Sequence, residues 1–183
     1  MSIAVISTGT ELLKGTTLNT NLAFLGRELN SIGLAIRLAL TAGDHERDLY
    51  AAYSEALDCA DTLIVSGGLG PTRDDITLDA TARFFGLELA PHPELVEKVT
   101  NFWGLRHRGR VPKPVLRQAR APEGATLLPN PNGSATGYRI DTIYGGRARR
   151  IYLLPGPPRE FEPMVRAALL EDLAAGPECR EHE

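Results

Sequence analysis

The feature that most constrains this chain is a threefold alternation in its first half, where short β-branched apolar runs are each followed by an amphipathic helical pattern. "SIAVIS" at residues 2–7 leads through "TGT" to "TNLAFLGRELNSI" at 20–32, where Leu22, Leu25, Leu29 and Ile32 share one helical face and Gly33 stands at the C-terminal cap. "LAIRLALTAGD" leads to "HERDLYAAYSEALDCA", with Leu49, Tyr53, Ala56 and Leu57 as its buried stripe, and "TLIVS" leads to "TLDATARFFG". This order predicts parallel β-α-β units with helices on both faces of one sheet. Ligands of such sheets gather beyond the carboxyl ends of the strands. That rule singles out three loops: "STGTELLKG", "AGDHE" and "SGGLGPTRDD".

The second half is less regular. Residues 93–109 read as a helix with Leu95, Val99 and Phe102 on one face, and Pro112 and Pro114 interrupt the basic segment that follows. Residues 124–156 read as two or three short strands with a hairpin near Gly145 and Gly146, and a last helix begins near Pro158, with Pro163 in its first turns. A length of 183 residues suits one domain, 1–175, followed by a tail, 176–183. With 43% hydrophobic residues, no signal peptide and no run near the roughly 18 apolar residues of a membrane span, a cytoplasmic globular protein is expected. The net charge of −3 argues against general nucleic-acid or membrane binding, although Arg106, Arg108, Arg110, Lys113, Arg117 and Arg120 crowd one segment, read as a solvated face. Cys59 and Cys179 lack metal-site spacing, and Cys59 reads as a small core residue.

The chemistry concentrates in "IVSGGLGPTRDDITLDA", residues 64–80. Gly67, Gly68 and Gly70 expose backbone N–H groups of the kind that approach phosphate oxygens, whereas Asp74 and Asp75 repel anions. The two fit together if a divalent cation lies between carboxylate and phosphate. One aspartate is explained as the cap of the next helix, which leaves Asp75 as the better ligand and Asp74 as the cap. Asp44 has a capping explanation of its own, or shares the cation from the adjacent strand end. His45 reads as an idle exposed side chain. The stretch lacks the Lys-Ser/Thr of a P-loop and the spacing of a dinucleotide fingerprint. Thr8, Gly9, Glu11, Lys14, Asn19 and Asn21 lie in the first loop, where Asn19, Thr20 or Asn21 must cap the following helix, and Glu160 sits where a helix N-terminus favours a carboxylate.

Taken together and in order, "STGTELLKGTTLNTN", "AGD", "SGGLGPTRDDIT", "NPNGSATGY" and "LLPGPPREFEPM" resemble the signature blocks of the CinA family, in its N-terminal molybdopterin-binding-like (MoaB/Mog-like) domain. The resemblance implies a three-layer α/β/α sandwich with a mixed, mostly parallel sheet. It implies a pyrophosphatase for ADP-ribose and related nucleotide diphosphates that uses Mg²⁺, Mn²⁺ or Co²⁺ and is helped by potassium, assembled as a homo-dimer or trimer. A similar domain of eukaryotic FAD synthases is associated with FAD hydrolysis. By motif, Asp44 and Asp75 match the family's acidic metal and catalytic positions, with Asp74 beside them. Gly67, Gly68, Gly70 and Thr72 fall in its phosphate loop; Thr8, Gly9, Glu11, Lys14, Asn19 and Asn21 in its first substrate loop; Gly156, Pro157 and Glu160 in its last. Two blocks depart from the family. An asparagine-lysine/arginine-lysine-glutamine-alanine run appears as "VLRQA", keeping Arg117 and Gln118, and G-T-A-P-G appears as "GSATG", with Ser134 and Thr136 substituted.

The expected function is therefore metal-assisted hydrolysis of a phosphoanhydride, with the glycine loop and Arg117 on the diphosphate and a cation on Asp44 and Asp75. Two alternatives share the residues: a pterin-binding or nucleotidyl-transfer protein of molybdenum cofactor assembly, and a non-catalytic nucleotide-sensing module. Longer family members carry a second domain that deamidates nicotinamide mononucleotide, which this chain is too short to hold.

Overall fold

The computed structural model describes residues 1–106 and 111–175. Arg108, Arg110, Cys179 and the 176–183 tail lie outside these residues. The chain runs β1 (Ile3–Thr8), α1 (Thr10–Leu13), α2 (Thr20–Ser31), β2 (Ile36–Ala42), α3 (Glu46–Cys59), β3 (Thr62–Ser66) and α4 (Thr77–Phe85). It continues with β4 (Leu89–Pro91), α5 (Pro93–Arg106), a 3-10 helix (Lys113–Ala119), β5 (Arg120–Pro122), β6 (Thr126–Leu128), β7 (Gly137–Tyr144) and β8 (Arg147–Leu154). Helix α6 (Pro158–Met164), a π turn (Val165–Leu169) and α7 (Leu170–Ala174) close it.

One six-stranded sheet has the order β2-β1-β3-β8-β7-β6, and β4 and β5 form a separate antiparallel pair. The strands β2, β1, β3 and β8 are mutually parallel, while β7 runs antiparallel to β8 and β6. This is the mixed, mostly parallel sheet that the family resemblance implies, with the parallel β-α-β units that the residue pattern predicts. Alternation along the strands feeds two cores. Ala4, Ile6, Leu63, Val65, Ile151 and Leu153 face α3, α4 and α5, whose Leu49, Tyr53, Leu78, Leu95 and Val99 pack on them. Ile3, Val5, Ile64, Tyr152 and Leu154 face the other way, onto Phe24, Leu25 and Leu29 of α2 and Phe161, Met164 and Leu169 of the C-terminal helices. The result is three layers, α/β/α.

Local chemistry sets the element ends. Asn19 caps α2, its side chain accepting from the Leu22 N–H at 3.2 Å. The β7–β8 hairpin turns on Gly145 and Gly146, both with positive φ (58° and 72°), as a tight turn matched to strand twist requires. Two readings change: "TELL" is a single helical turn rather than open loop, and Lys113–Ala119 of the basic segment fold as a 3-10 helix that includes Pro114. The β4–β5 pair is additional to the elements read from the sequence. Cys59 is half-buried, its thiol turned to the Ala56 carbonyl.

Ile64 is fully buried at the centre of the second core. Ile64→Ala should cost about 3 kcal/mol, read as a lowered urea midpoint with an unchanged slope.

Candidate functional site

The sheet reverses direction of growth at β1, with β2 added on one side and β3 on the other, and a cavity of about 830 Å³ opens at the carboxyl ends of these strands. Four segments that follow parallel strands line it: residues 9–21, Asp44, the turn 67–75, and 155–160. A fifth, 132–135, enters because β7 runs backwards and starts at this end. Phe102, Trp103 and Gln118 complete the wall.

The register of β1 places the first contacts. Thr8 pairs with Ala42, so two residues further on Thr10 meets Asp44: the Thr10 N–H donates to Asp44 Oδ2 at 2.8 Å, and the Asp44 N–H to Thr10 Oγ1 at 3.2 Å. On the other side Ser7 pairs with Ser66, which sets Gly67 against Thr8. A Cβ on Gly67 would fall on the Thr8 carbonyl and one on Gly68 on the Thr77 hydroxyl, and both residues have positive φ (110° and 68°). Only glycine fits there. At Gly70 the missing side chain makes room for the Asp75 carboxylate, and at Gly9 for that of Glu11.

The aspartates do not cap helices. α4 begins after Ile76 and α3 after His45, neither cap making a side-chain bond. Asp75 Oδ2 instead accepts from the Thr72 N–H at 2.8 Å and the Thr72 hydroxyl at 2.5 Å, which closes the glycine turn on itself. Asp74 is exposed and lines the cavity without capping. Asp44, Asp74 and Asp75 thus bring hard oxygen donors to one cavity. Among the described residues no group of three or more His, Cys, Asp or Glu is placed to hold a metal ion by side chains alone.

The floor is an amide and hydroxyl network. Asn19 Nδ2 donates to Ser7 Oγ (2.9 Å), and Asn21 Nδ2 to Ser66 Oγ (3.1 Å) and the Gly156 carbonyl (2.7 Å). Asn21 Oδ1 is a buried acceptor with no protein donor.

The opposite wall hangs on Glu160 and Pro163. Glu160 is buried and accepts from Asn130 Nδ2 at 2.7 Å, its carboxylate filling the space over Gly133. Pro163 has no N–H for the carbonyl four residues earlier, and Asn132 Nδ2 bonds that Arg159 carbonyl at 2.8 Å. The proline thereby ties the 130–136 loop to α6. Both substitutions in the "GSATG" block are accommodated here. Ser134 donates to Gln118 Oε1 (3.1 Å), and Thr136 Oγ1 accepts from Lys98 Nζ (2.9 Å). Burial pushes the Lys98 ammonium below its ordinary value, partly offset by the charge of Glu160.

Arg117, Thr72 and Lys14 stand outside the cavity wall. Arg117 is turned behind the glycine loop, Nη1 donating to the Thr72 carbonyl (2.7 Å) and Nη2 to Asp79 (2.8 Å). Arg120 holds the same carboxylate at 2.9 and 3.0 Å. The expected phosphate contact is replaced by a brace, and these two arginines are paired rather than merely solvated. Lys14 and His45 are exposed. Asn132, Ser134, Gln118 and Trp103 line the cavity beyond the expected site residues; the first three fall in the quoted blocks "NPNGSATGY" and "VLRQA", whereas Trp103 carries no such signal.

Comparison with known proteins gives the same fold. The family described as "Probable molybdopterin binding domain" matches residues 4–175. A "Putative competence-damage inducible protein" of Moorella thermoacetica is 43% identical over 174 residues, 94% of this chain and 41% of the relative. A "CinA-like protein" of Desulfovibrio desulfuricans is 39% identical over 93% of this chain and 39% of its own length. The chain thus spans about two fifths of the curated relatives it matches. Among solved structures, the protein CinA of Thermoplasma acidophilum, described as of unknown function, superposes with a TM-score of 0.81 at 31% identity, covering 93% of this chain and 96% of that one. The tungsten cofactor synthesizing protein MoaB of Pyrococcus furiosus shares the fold, with a TM-score of 0.59 at 19% identity and 94% coverage of both chains.

Burial pushes the Asp79 carboxyl up, but hydrogen bonds and charges from Arg117 and Arg120 outweigh it and hold the group below its ordinary range. A depressed carboxylate stabilises the fold fully above its unfolded pKa of about 4 and loses that contribution as pH falls through the folded value. Asp79→Asn should therefore cost about 2 kcal/mol at neutral pH, and its gap to the wild type should close as pH is lowered below 4, measured by urea unfolding at each pH.

Proposed function

The chain belongs to the CinA family, in its molybdopterin-binding-like domain, and from that premise we propose that it is a metal-dependent hydrolase of nucleotide diphosphates such as ADP-ribose. The observation that carries this reading is a glycine turn built only for backbone, Gly67 to Gly70, facing the same cavity as the carboxylates of Asp44 and Asp75. Gly67 itself gives its N–H to the Leu154 carbonyl at 2.9 Å, so the backbone N–H groups that suit phosphate oxygens are those that follow it in the turn. Carboxylates beside them are tolerated if a cation mediates.

The donor set fits such an ion. Mg²⁺ and Mn²⁺ prefer hard oxygens, and Mg²⁺ commonly takes one or two carboxylates, with substrate phosphate and water completing its shell. Asp44 and Asp75 would hold it, with Asp74 at the rim. When bound, a divalent ion neutralises charge on the phosphates and polarises phosphorus.

The chain's own residues do the positioning. The glycine turn receives the diphosphate, and its shape is held by Asp75 on Thr72 and from behind by Arg117 on the Thr72 carbonyl. Asn21 Oδ1 accepts from a ligand hydroxyl, its amide being fixed by Ser66 and Gly156. In the reaction a water oxygen bonds to one phosphorus as the bridging P–O bond breaks; the departing phosphate oxygen keeps the electron pair, and the water's proton passes to the solvent. ADP-ribose and water yield AMP and ribose 5-phosphate.

A second reading has support of its own: the description of the matching family and the fold shared with cofactor-assembly proteins favour pterin binding. Asp75→Asn separates the two. Asparagine retains an oxygen acceptor for Thr72 while losing the charge, so the variant should stay folded and lose at least about 100-fold in ADP-ribose turnover with Mg²⁺, Mn²⁺ or Co²⁺. Unaltered turnover would remove Asp75 from the mechanism. Absent turnover in the wild type, together with tight pterin binding, would favour the second reading.

A further inference from the structure

The cavity is chemically divided. Its floor is polar backbone, amides and carboxylates, whereas α5 contributes two aromatic rings, Phe102 and Trp103, packed edge to face at 5.6 Å. We propose that Trp103 forms the nucleobase subsite of this cavity, its indole stacking on the purine of a bound nucleotide. The inference rests on the nucleotide reading above and specifies which part of the ligand meets which wall.

Three observations carry it. First, Trp103 is only partly buried: one side of it packs on the core that Leu95 and Val99 anchor, and the residue also lines the cavity. Second, the orientation of the ring is fixed. Its Nε1–H donates to Gln118 Oε1 at 3.4 Å, and that oxygen also accepts from Ser134 at 3.1 Å, so the Gln118 amide is set and its Nε2 donates to the Leu69 carbonyl at 3.0 Å. Gln118 is itself buried. Third, this chain of bonds places the indole one glutamine side chain away from the glycine turn. A ligand whose phosphates sit on Gly67–Gly70 therefore has an aromatic surface within reach of its other end. Purine and indole planes attract through dispersion and stacking without demanding a particular hydrogen-bond pattern. A site of this build takes the base by its flat face, and the Ser134 and Gln118 bonds act as positioning contacts for the ring.

Trp103 is the single tryptophan of the sequence, so intrinsic fluorescence reports on this ring alone. The protein is titrated with AMP, with ADP-ribose and with ribose 5-phosphate, and binding is followed in parallel by calorimetry. AMP and ADP-ribose should quench the emission saturably, and ribose 5-phosphate should not. Trp103→Leu should weaken AMP binding about tenfold and leave ribose 5-phosphate binding unchanged, while Trp103→Phe, which keeps a flat ring, should recover most of the loss. The proposal is overturned if AMP leaves the emission unchanged, if ribose 5-phosphate quenches as strongly, or if the folded Leu variant binds AMP like the wild type. Quenching without ADP-ribose turnover would leave the subsite standing and remove the hydrolase, and turnover without quenching would do the reverse.

Discussion

Everything in the site depends on the register of β1 between its two parallel neighbours. Pairing Thr8 with Ala42 puts Thr10 beside Asp44, and pairing Ser7 with Ser66 puts Gly67 on the Thr8 carbonyl. A slip of one residue would send Ile3 and Val5 to the wrong core and carry both loops away from each other. Because β1 is buried along its whole length, the hydrophobic pattern enforces that register from both faces. The packing that folds the sheet is thus also what brings Asp44 and the glycine turn to one cavity.

A second layer of control comes from behind. The 3-10 helix gives Arg117 to the Thr72 carbonyl and Gln118 to the Leu69 carbonyl, so the glycine turn is gripped at both ends by consecutive residues. Asp79, on α4, gathers Arg117 and Arg120 and locks that helix to the loop it supports. Glycine turns are entropically costly to hold in one shape. Here side-chain bonds from a distant segment offset that cost, which suits a loop meant to meet a ligand in a fixed geometry.

The legible part of the sequence was what repeats or recurs at short range. Leu49, Tyr53, Ala56 and Leu57 announce α3 by spacing, and Gly145–Gly146 announce a hairpin by backbone chemistry alone. The glycine turn was legible because it follows directly on a buried strand. What escaped was competition between partners far apart in the chain. Asp44 and Asp74 each had a local capping explanation, and Asp44 lost it to a Thr10 N–H that only the β1–β2 pairing brings near. Arg117 had the charge to meet a phosphate, but Asp79, 38 residues earlier, claims it. Pro163 is visible in the sequence only as a proline in the first turns of a helix, and the use of the carbonyl it frees by Asn132 is not.

The proposed activity of the cavity at the ends of β1 and β3 is cleavage of a phosphoanhydride. Phosphorus NMR of ADP-ribose after incubation with the protein tests this. The paired diphosphate resonances should give way to two monophosphate resonances after incubation with Mg²⁺, Mn²⁺ or Co²⁺, the ion being chelated before the spectrum is taken, and should persist when chelator is present from the start. Diphosphate resonances that persist with every one of these metals would contradict it.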